Sequence, residues 1–435
     1  MSHEQHGPSP MRDRPSILCL MRMPPALTGH GGSQRGWRLV EALCRIGRVH
    51  VVLLHRSQDR DFDHVSLAPL RALVETVTVV AVADWSSIKY RLPWLPWRIA
   101  MWCDMIRIGS GEAPRLPRRA IAAIAAALPG QSFDMAIAAR LPCAVIADRL
   151  IDAGRLRVAV KVVDLDDRLS TFKRRQRAAE RPGPILSLLH RLDIAATAQA
   201  ERSMRRWDAI SLCSDEDVAR MAAEMPGTPV VKLPNVIDRP LLASATGDGF
   251  AMLFVGNLDF PPNRQGLARF VAEAWPLIRA ARPDATATVV GFAPGPALRA
   301  ALARAGIALH ANVPSVEPFY QAAQAVICPI FFGGGTRIKL LEAMAYGRAI
   351  VSTTLGAEGL DIVPGVHALI ADTMPAFAHA LIRLAGDLAL REALAANARA
   401  LQQERFAPAI FAAAAARLVD AAQKNRSATR RTSPG

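Results

Sequence analysis

A chain of 435 residues exceeds what one hydrophobic core usually holds, so two domains of roughly 150 to 230 residues are expected. With 51% hydrophobic and 21% charged residues, and 28 Gly and 31 Pro spread along it, the composition is that of a globular protein and excludes disordered and fibrous classes. The net charge of +15 points to an anionic partner, such as a phosphate-bearing substrate, a nucleic acid or an anionic membrane face.

Residues 1–14 are polar and predicted to be disordered. Short β-branched runs then alternate with Ala-, Leu- and Arg-rich stretches of helical period, the rhythm of parallel sheets covered by helices. Strands are predicted at Ser16–Met21, His50–His55, Val77–Ala83, Met135–Ala138, Val158–Asp164 and Ala209–Cys213, and in a second series at Met252–Val255, Ala287–Val290, Ala325–Cys328, Ala349–Ser352 and Ala368–Ile370. The series breaks near 232–250, where KLPNVIDRP and a small, polar ATGDG stretch interrupt it. The expected organisation is a first domain over 15–238, a second over 239–405, a closing helix over 406–423 able to brace either domain, and a disordered basic tail over 424–435. Both domains are α/β and Rossmann-like, doubly wound, and face each other across a cleft, because such sheets bind ligands beyond the carboxyl ends of their strands.

Six scattered cysteines without a CxxC pair read as buried hydrophobes, and the ten histidines form no ligand cluster, since HEQH at His3–His6 lacks the HExxH spacing. No metal or other cofactor is expected. No run of about 18 apolar residues appears, and a cytoplasmic protein is expected. Only six of the 53 basic residues are Lys, so biased gene composition is a plain source of the total charge. The clustering is more telling, because residues 155–206 hold 13 Lys or Arg against six Asp or Glu.

The strongest chemical signal is PIFFGGGTRIKLLEAMAYG. Gly333, Gly334 and Gly335 end a strand and open a helix, where backbone N–H groups and the helix dipole suit an anion. Thr336 is the expected helix cap and Gly347 the stop. Lys339 and Glu342 share a face, with Arg337 on another. A carboxylate one turn beyond a phosphate-binding terminus suits a ribose diol; the plain alternative is a Gly-rich turn before a helix with Glu342 solvated. The loop LTGHGGSQRGW lacks the Lys and Ser/Thr of a P-loop and the last Gly of GxGxxG, leaving Gly31 and Gly32 as a turn able to approach a diphosphate or simply needing φ > 0.

The segment from Gly333 resembles the donor-binding signature of family 4 glycosyltransferases, in the bacterial polysaccharide-biosynthesis branch that writes it GxGTRxKxLEAMA. Similarity extends to VVKLPNVID, LFVGNLDFPPN, ALHANVPSVEPFYQAAQAVICP, VVDLDDRLS and the opening SILCLMRMPP to HVVLLH. The resemblance implies a GT-B fold and transfer of a sugar from a UDP- or GDP-linked donor to a lipid-linked or glycan acceptor, with retention and without metal. It implies donor contacts at Gly31, Gly32, Gly256, Asn257, Arg264, Asn312, Gly333, Gly334, Gly335, Thr336 and Glu342. Two departures stand out. Gly334 occupies the position of the first of two paired glutamates, removing a side chain that would contact the sugar. The cations that commonly follow the first strand of the second domain are replaced around Asn257 and Asn263, with Arg264 the nearest. Arg337 and Lys339 are therefore expected to carry the leaving diphosphate, and Arg140, after the strand AIAA, is a further catalytic candidate.

DLDD at Asp164–Asp167 is either a DxD metal site or a helix cap; capping is favoured. The segment Asp84–Arg107 carries Trp85, Trp94, Trp97 and Trp102 among Lys89, Arg91, Arg98 and Arg107, and with 172–192 suits an anionic membrane surface or ordinary packing of loop aromatics. Two other readings remain: a nucleotide-sugar 2-epimerase of the same architecture, and a basic nucleic-acid-binding protein. The latter lacks any zinc knuckle, basic heptad or RNP-like motif, so no specific nucleic-acid partner is expected.

Overall fold

The computed structural model describes residues 14–29, 31–56, 66–243 and 249–432. The expected disorder at the N-terminus, the HEQH stretch and most of ATGDG lie outside the described residues, as do the side chains of Arg91 and Arg98.

In chain order the first strands are β1 (Ser16–Met21), β2 (Arg48–His55), β3 (Thr76–Ala81), a small hairpin of β4 (Gly109–Ser110) and β5 (Ala113–Pro114), β6 (Ser132–Ala139), β7 (Arg157–Asp166), β8 (Ala209–Leu212) and β9 (Val230–Lys232). Without the hairpin they form one parallel sheet ordered β3-β2-β1-β6-β7-β8-β9. The second series, β10 (Phe250–Asn257), β11 (Ala285–Phe292), β12 (Ala308–Ala311), β13 (Ala325–Cys328), β14 (Ala349–Ser352) and β15 (Leu369–Ile370), forms a parallel sheet ordered β12-β11-β10-β13-β14-β15. Central strands such as β1 and β13 are buried along nearly their whole length, which is why they read as unbroken apolar runs. Each order reverses beside its first strand, next to β1 and next to β10, and a crevice opens at such a switch point beyond the strand ends.

The strands absent from the sequence reading, β4, β5, β9 and β12, are short, and the outer β9 and β12 are only partly buried. Nothing forced them to be apolar. The C-terminal segment corrects a second expectation. One helix runs from Pro408 to Thr432, so the residues from Lys424 to Thr432 are helical rather than a disordered tail. No Gly or Pro interrupts it after Pro408, Lys424 pairs with Asp420 at 2.8 Å one turn earlier, and Asn425 donates to the Asp208 carbonyl at 3.0 Å. Its Phe411, Leu418 and Val419 enter the core beside Ile17 and Leu39, so it braces the first domain.

The two domains touch through residues that follow the carboxyl ends of their strands. Asn235 donates to Asp166 Oδ1 at 3.0 Å and to Thr336 Oγ1 at 2.8 Å. Arg175 holds Glu358 through two bonds of 2.6 and 2.8 Å, and Phe172 stacks on Phe260 with ring centroids 5.6 Å apart. Among the described residues no helix is long and apolar enough to cross a membrane.

Candidate active site

On the second-domain side the site begins at the end of β10. A Cβ on Gly256 would lie 2.9 Å from Asn263 Nδ2 and 3.1 Å from Lys339 Nζ, so the absent side chain there makes room for both. Asn263 donates to the Asn257 carbonyl at 2.7 Å and accepts from Lys339 at 2.8 Å. The Lys339 ammonium also lies 3.7 Å from the Phe254 ring centroid. Burial pushes its pKa down to about 8, with Cys328 and Glu342 opposing and Arg337 reinforcing the shift.

The helix after the glycines spans Ile338–Tyr346 and stops at Gly347, which has φ 70 as expected of a glycine stop. The expected cap is corrected: Arg337 occupies the cap position and makes no side-chain cap bond, while the Thr336 hydroxyl is engaged by Asn235 across the cleft. Arg337 folds back to donate to the carbonyls of Gly334 and Gly335, the latter at 2.7 Å. Burial lowers its pKa. Glu342 is buried rather than solvated. It accepts from the Tyr320 hydroxyl at 3.0 Å and lies 3.9 Å from Arg239, yet burial outweighs Arg239, Tyr320 and Lys339 and raises its pKa. Among the described residues neither Arg337 nor Lys339 has a carboxylate within ion-pair distance.

The first domain is wired differently. Arg35 grips Asp164 through bonds of 2.9 and 2.7 Å, donates to Asn235 at 3.0 Å and lies 3.6 Å from Asp166. Arg140, in the left-handed region at φ 78, pairs with Asp166 and with Asp167 at 3.2 Å. Burial would raise the Asp166 pKa, but Arg140 and Arg35 outweigh it and hold that carboxyl low. The expectation that DLDD caps the following helix is corrected: Arg168 is the cap residue, with no side-chain cap bond, and the three carboxylates face arginines instead.

Gly31 and Gly32 open the helix Gly31–Cys44 rather than forming a free turn. A Cβ on Gly31 would lie 2.6 Å from Ile338 Cγ1, so the first domain touches the start of the donor helix here. The structure thus brings together Gly31, Gly256, Asn257, the three glycines, Thr336, Arg337, Lys339 and Glu342, with Arg140 across the cleft. Asn312 stands apart at the end of β12, at φ 55, where it accepts from Ala293 N at 3.3 Å. Arg264 is exposed and bonds the Asp259 carbonyl at 3.0 Å, away from Lys339. Sequence reasoning missed Arg35, Asn235, Arg239, Tyr320 and Asp167. Arg35, Asn235 and Arg239 lie about a hundred positions or more from Asp164, Thr336 and Glu342; the motif context of KLPNVID hinted at Asn235, and DLDD reads locally as a metal site or cap rather than as a cleft carboxylate.

Residues 249–387 match the family model described as "Glycosyl transferases group 1". An "Uncharacterized 44.6 kDa protein in cps region" of Klebsiella pneumoniae is 29% identical over 164 residues, which are 36% of this chain and 42% of that protein. The alignment thus spans less than half the length of that curated relative. Sucrose-phosphate synthase from Thermosynechococcus elongatus superposes with a TM-score of 0.65 at 15% identity, covering 93% of this chain and 98% of that one. Anabaena HepE in complex with UDP-glucose gives 0.64 at 15% identity, covering 94% and 100%. The fold is GT-B. Two Rossmann-like sheets facing across a cleft are what these GT-B structures share with the chain, and the family match covers the stretch that carries Lys339 and Glu342.

Proposed function

We propose that this GT-B chain is a glycosyltransferase that takes a sugar from a nucleoside diphosphate donor. The observation that carries it is the pair of cations, buried Lys339 and part-buried Arg337, without carboxylates within ion-pair distance among the described residues, beside three glycines and a helix start. Buried positive charge is costly unless compensated, and a diphosphate compensates it. In this reading Lys339 and Arg337 take the leaving diphosphate, the glycine backbone approaches it, and Glu342 accepts from the ribose hydroxyls. Gly31 and Gly32 close the diphosphate from the first domain, and Asn312 stands at the base end. HepE has structures with UDP and with UDP-glucose, and TarM, of the same fold, has one with UDP. Donor, acceptor and anomeric outcome follow the family resemblance: a UDP- or GDP-sugar, a lipid-linked or glycan acceptor, retention, and no metal requirement.

Thermal-shift titration with UDP, GDP and ADP tests the donor site, since a ligand bound by the folded state raises its melting temperature. Absence of a shift with all three rejects the reading. Incubation of the preferred nucleotide-sugar without acceptor separates transfer from epimerisation, and EDTA that abolishes transfer rejects the metal-free mechanism.

The acceptor side is proposed to work in the cytoplasm at an anionic membrane surface. The helices Trp97–Arg107 and Pro184–Ser203 pack on each other, and both follow strand ends that face the cleft. They leave exposed Ile99, Trp102 and Ile106 on one and Ile185, Leu188 and Leu192 on the other, each set at helical spacing. Trp94 beside them is 75% exposed, and Arg174, Arg181 and Arg191 are exposed nearby in sequence. Tryptophan at headgroup depth flanked by cations suits anionic lipid. Flotation with phosphatidylglycerol vesicles that is lost in Trp97→Ser/Trp102→Ser supports this; failure to float, or a dimer that buries these residues, rejects it.

A further inference from the structure

We propose that Asp167, a first-domain residue, contacts the sugar moiety of the donor across the cleft and makes its binding depend on the sugar hydroxyls. The inference rests on the donor reading above and adds a residue to it.

The geometry starts at the end of β7. Its register against β8 slips between Asp164 and Asp166, and Asp166 sits at φ 64. Such a bulge re-aims the residues that follow it. Asp164 and Asp166 stay with Arg35, Arg140 and Asn235, while Asp167 reaches the second domain. A Cβ built on Gly334 would lie 3.0 Å from Asp167 Oδ2 and 3.4 Å from Phe172 Cβ, and one on Gly335 would lie 3.4 Å from the same Oδ2. Gly335, at φ 67, also needs glycine for its backbone; at Gly334 the opposing carboxylate is the reason. Arg140 bonds Asp167 Oδ1 at 3.2 Å, which fixes the carboxylate with Oδ2 toward the glycine loop. Gly334 and Gly335 also line a small interdomain crevice with Thr171, Ser214 and Asp217.

The chemistry sorts the two ends of a donor. A diphosphate is repelled by a carboxylate and is served by Lys339 and Arg337. Sugar hydroxyls are donors, and a fixed carboxylate accepts from them strongly. Asp167 meets the glycine loop, while Glu342, beside Tyr320 and Arg239, is the carboxylate given to the ribose. Burial raises the Asp167 pKa to about 7, against the pull of Arg140 and Arg337 and with help from Asp166 and Asp217, so its ability to accept grows as pH rises through neutrality.

The test is calorimetric titration of the full chain with UDP and GDP and with a panel of UDP- and GDP-sugars, the tightest wild-type pair being carried into the variants. Asp167→Asn and Asp167→Ala are expected to keep nucleoside diphosphate affinity within about 2-fold and to weaken nucleotide-sugar binding by about 10-fold, the size of one lost charged hydrogen bond. Retained diphosphate binding shows that the variants are folded. Asp167→Ala with Gly334→Glu, which returns a carboxylate from the opposite side, is expected to recover part of the preference for the sugar-bearing ligand. Equal loss for both ligands, or no loss for either, overturns the role of Asp167. If the wild type binds no nucleoside diphosphate, the donor reading itself fails, and that outcome is distinct from either result.

Discussion

The two walls of the cleft treat buried charge in opposite ways. On the first-domain wall the arginines at the strand ends face carboxylates: buried Arg35 holds Asp164, and part-exposed Arg140 holds Asp166 and Asp167. On the second-domain wall Lys339 rests on an amide oxygen and an aromatic face, and Arg337 on backbone carbonyls. The first arrangement is self-sufficient and holds a shape. The second is left short of negative charge, as the proposed diphosphate site requires.

The contrast breaks most sharply at Arg35. Arg35→Ala leaves Asp164 buried without its partner and is expected to cost about 3–5 kcal/mol of stability in urea unfolding. A loss below 1 kcal/mol would mean that the first wall is not held by its ion pairs. Lys339→Met is expected to act the other way on stability while removing about 100-fold in turnover. Its folded pKa of about 8 lies below the unfolded value of 10.5, so the charged form costs stability below about pH 8 and the cost is relieved as pH rises from there. The variant should therefore melt higher than wild type at pH 7 without ligand, and this advantage should fade toward pH 10.

The same shift gives a milder effect in the unmodified protein. Diphosphate affinity should fall as pH rises through about 8, and binding near that pH should take up a proton, measurable as a buffer-dependent heat. Proton release instead would remove Lys339 from the diphosphate. Arg264→Ala marks the small end of the series. Its guanidinium is exposed and, among the described residues, engaged by Asp259, so donor affinity should change less than about 2-fold.

What could be read from the chain and what could not divide along the same walls. Lys339 and Glu342 lie three residues apart, so helix periodicity alone put them on one face, and the apolar runs of β1 and β13 announced parallel sheets; the glycines, expected to end a strand and open the helix, lie instead in the loop between Cys328 and Ile338. The capping roles of Thr336 and DLDD were misjudged because the competing partners, Asn235 and the two arginines, come from distant segments. A local reading offers a hydroxyl or a carboxylate only the nearest helix start. The tail was misjudged for the same reason, since its helix is supported by a face on the first domain that the tail sequence does not contain.

The sequence by itself determined two doubly wound sheets and a glycine-rich terminus with a cation and a carboxylate one turn apart, because both follow from short-range periodicity and backbone sterics. Only the tertiary structure decided which charges are neutralised, why Gly334 faces Asp167, and which domain the last helix braces. Those depend on contacts between separate segments of the chain, from Arg140 with Asp167 to Gly334 with Asp167, where electrostatic compensation and packing, rather than local propensity, select the partner.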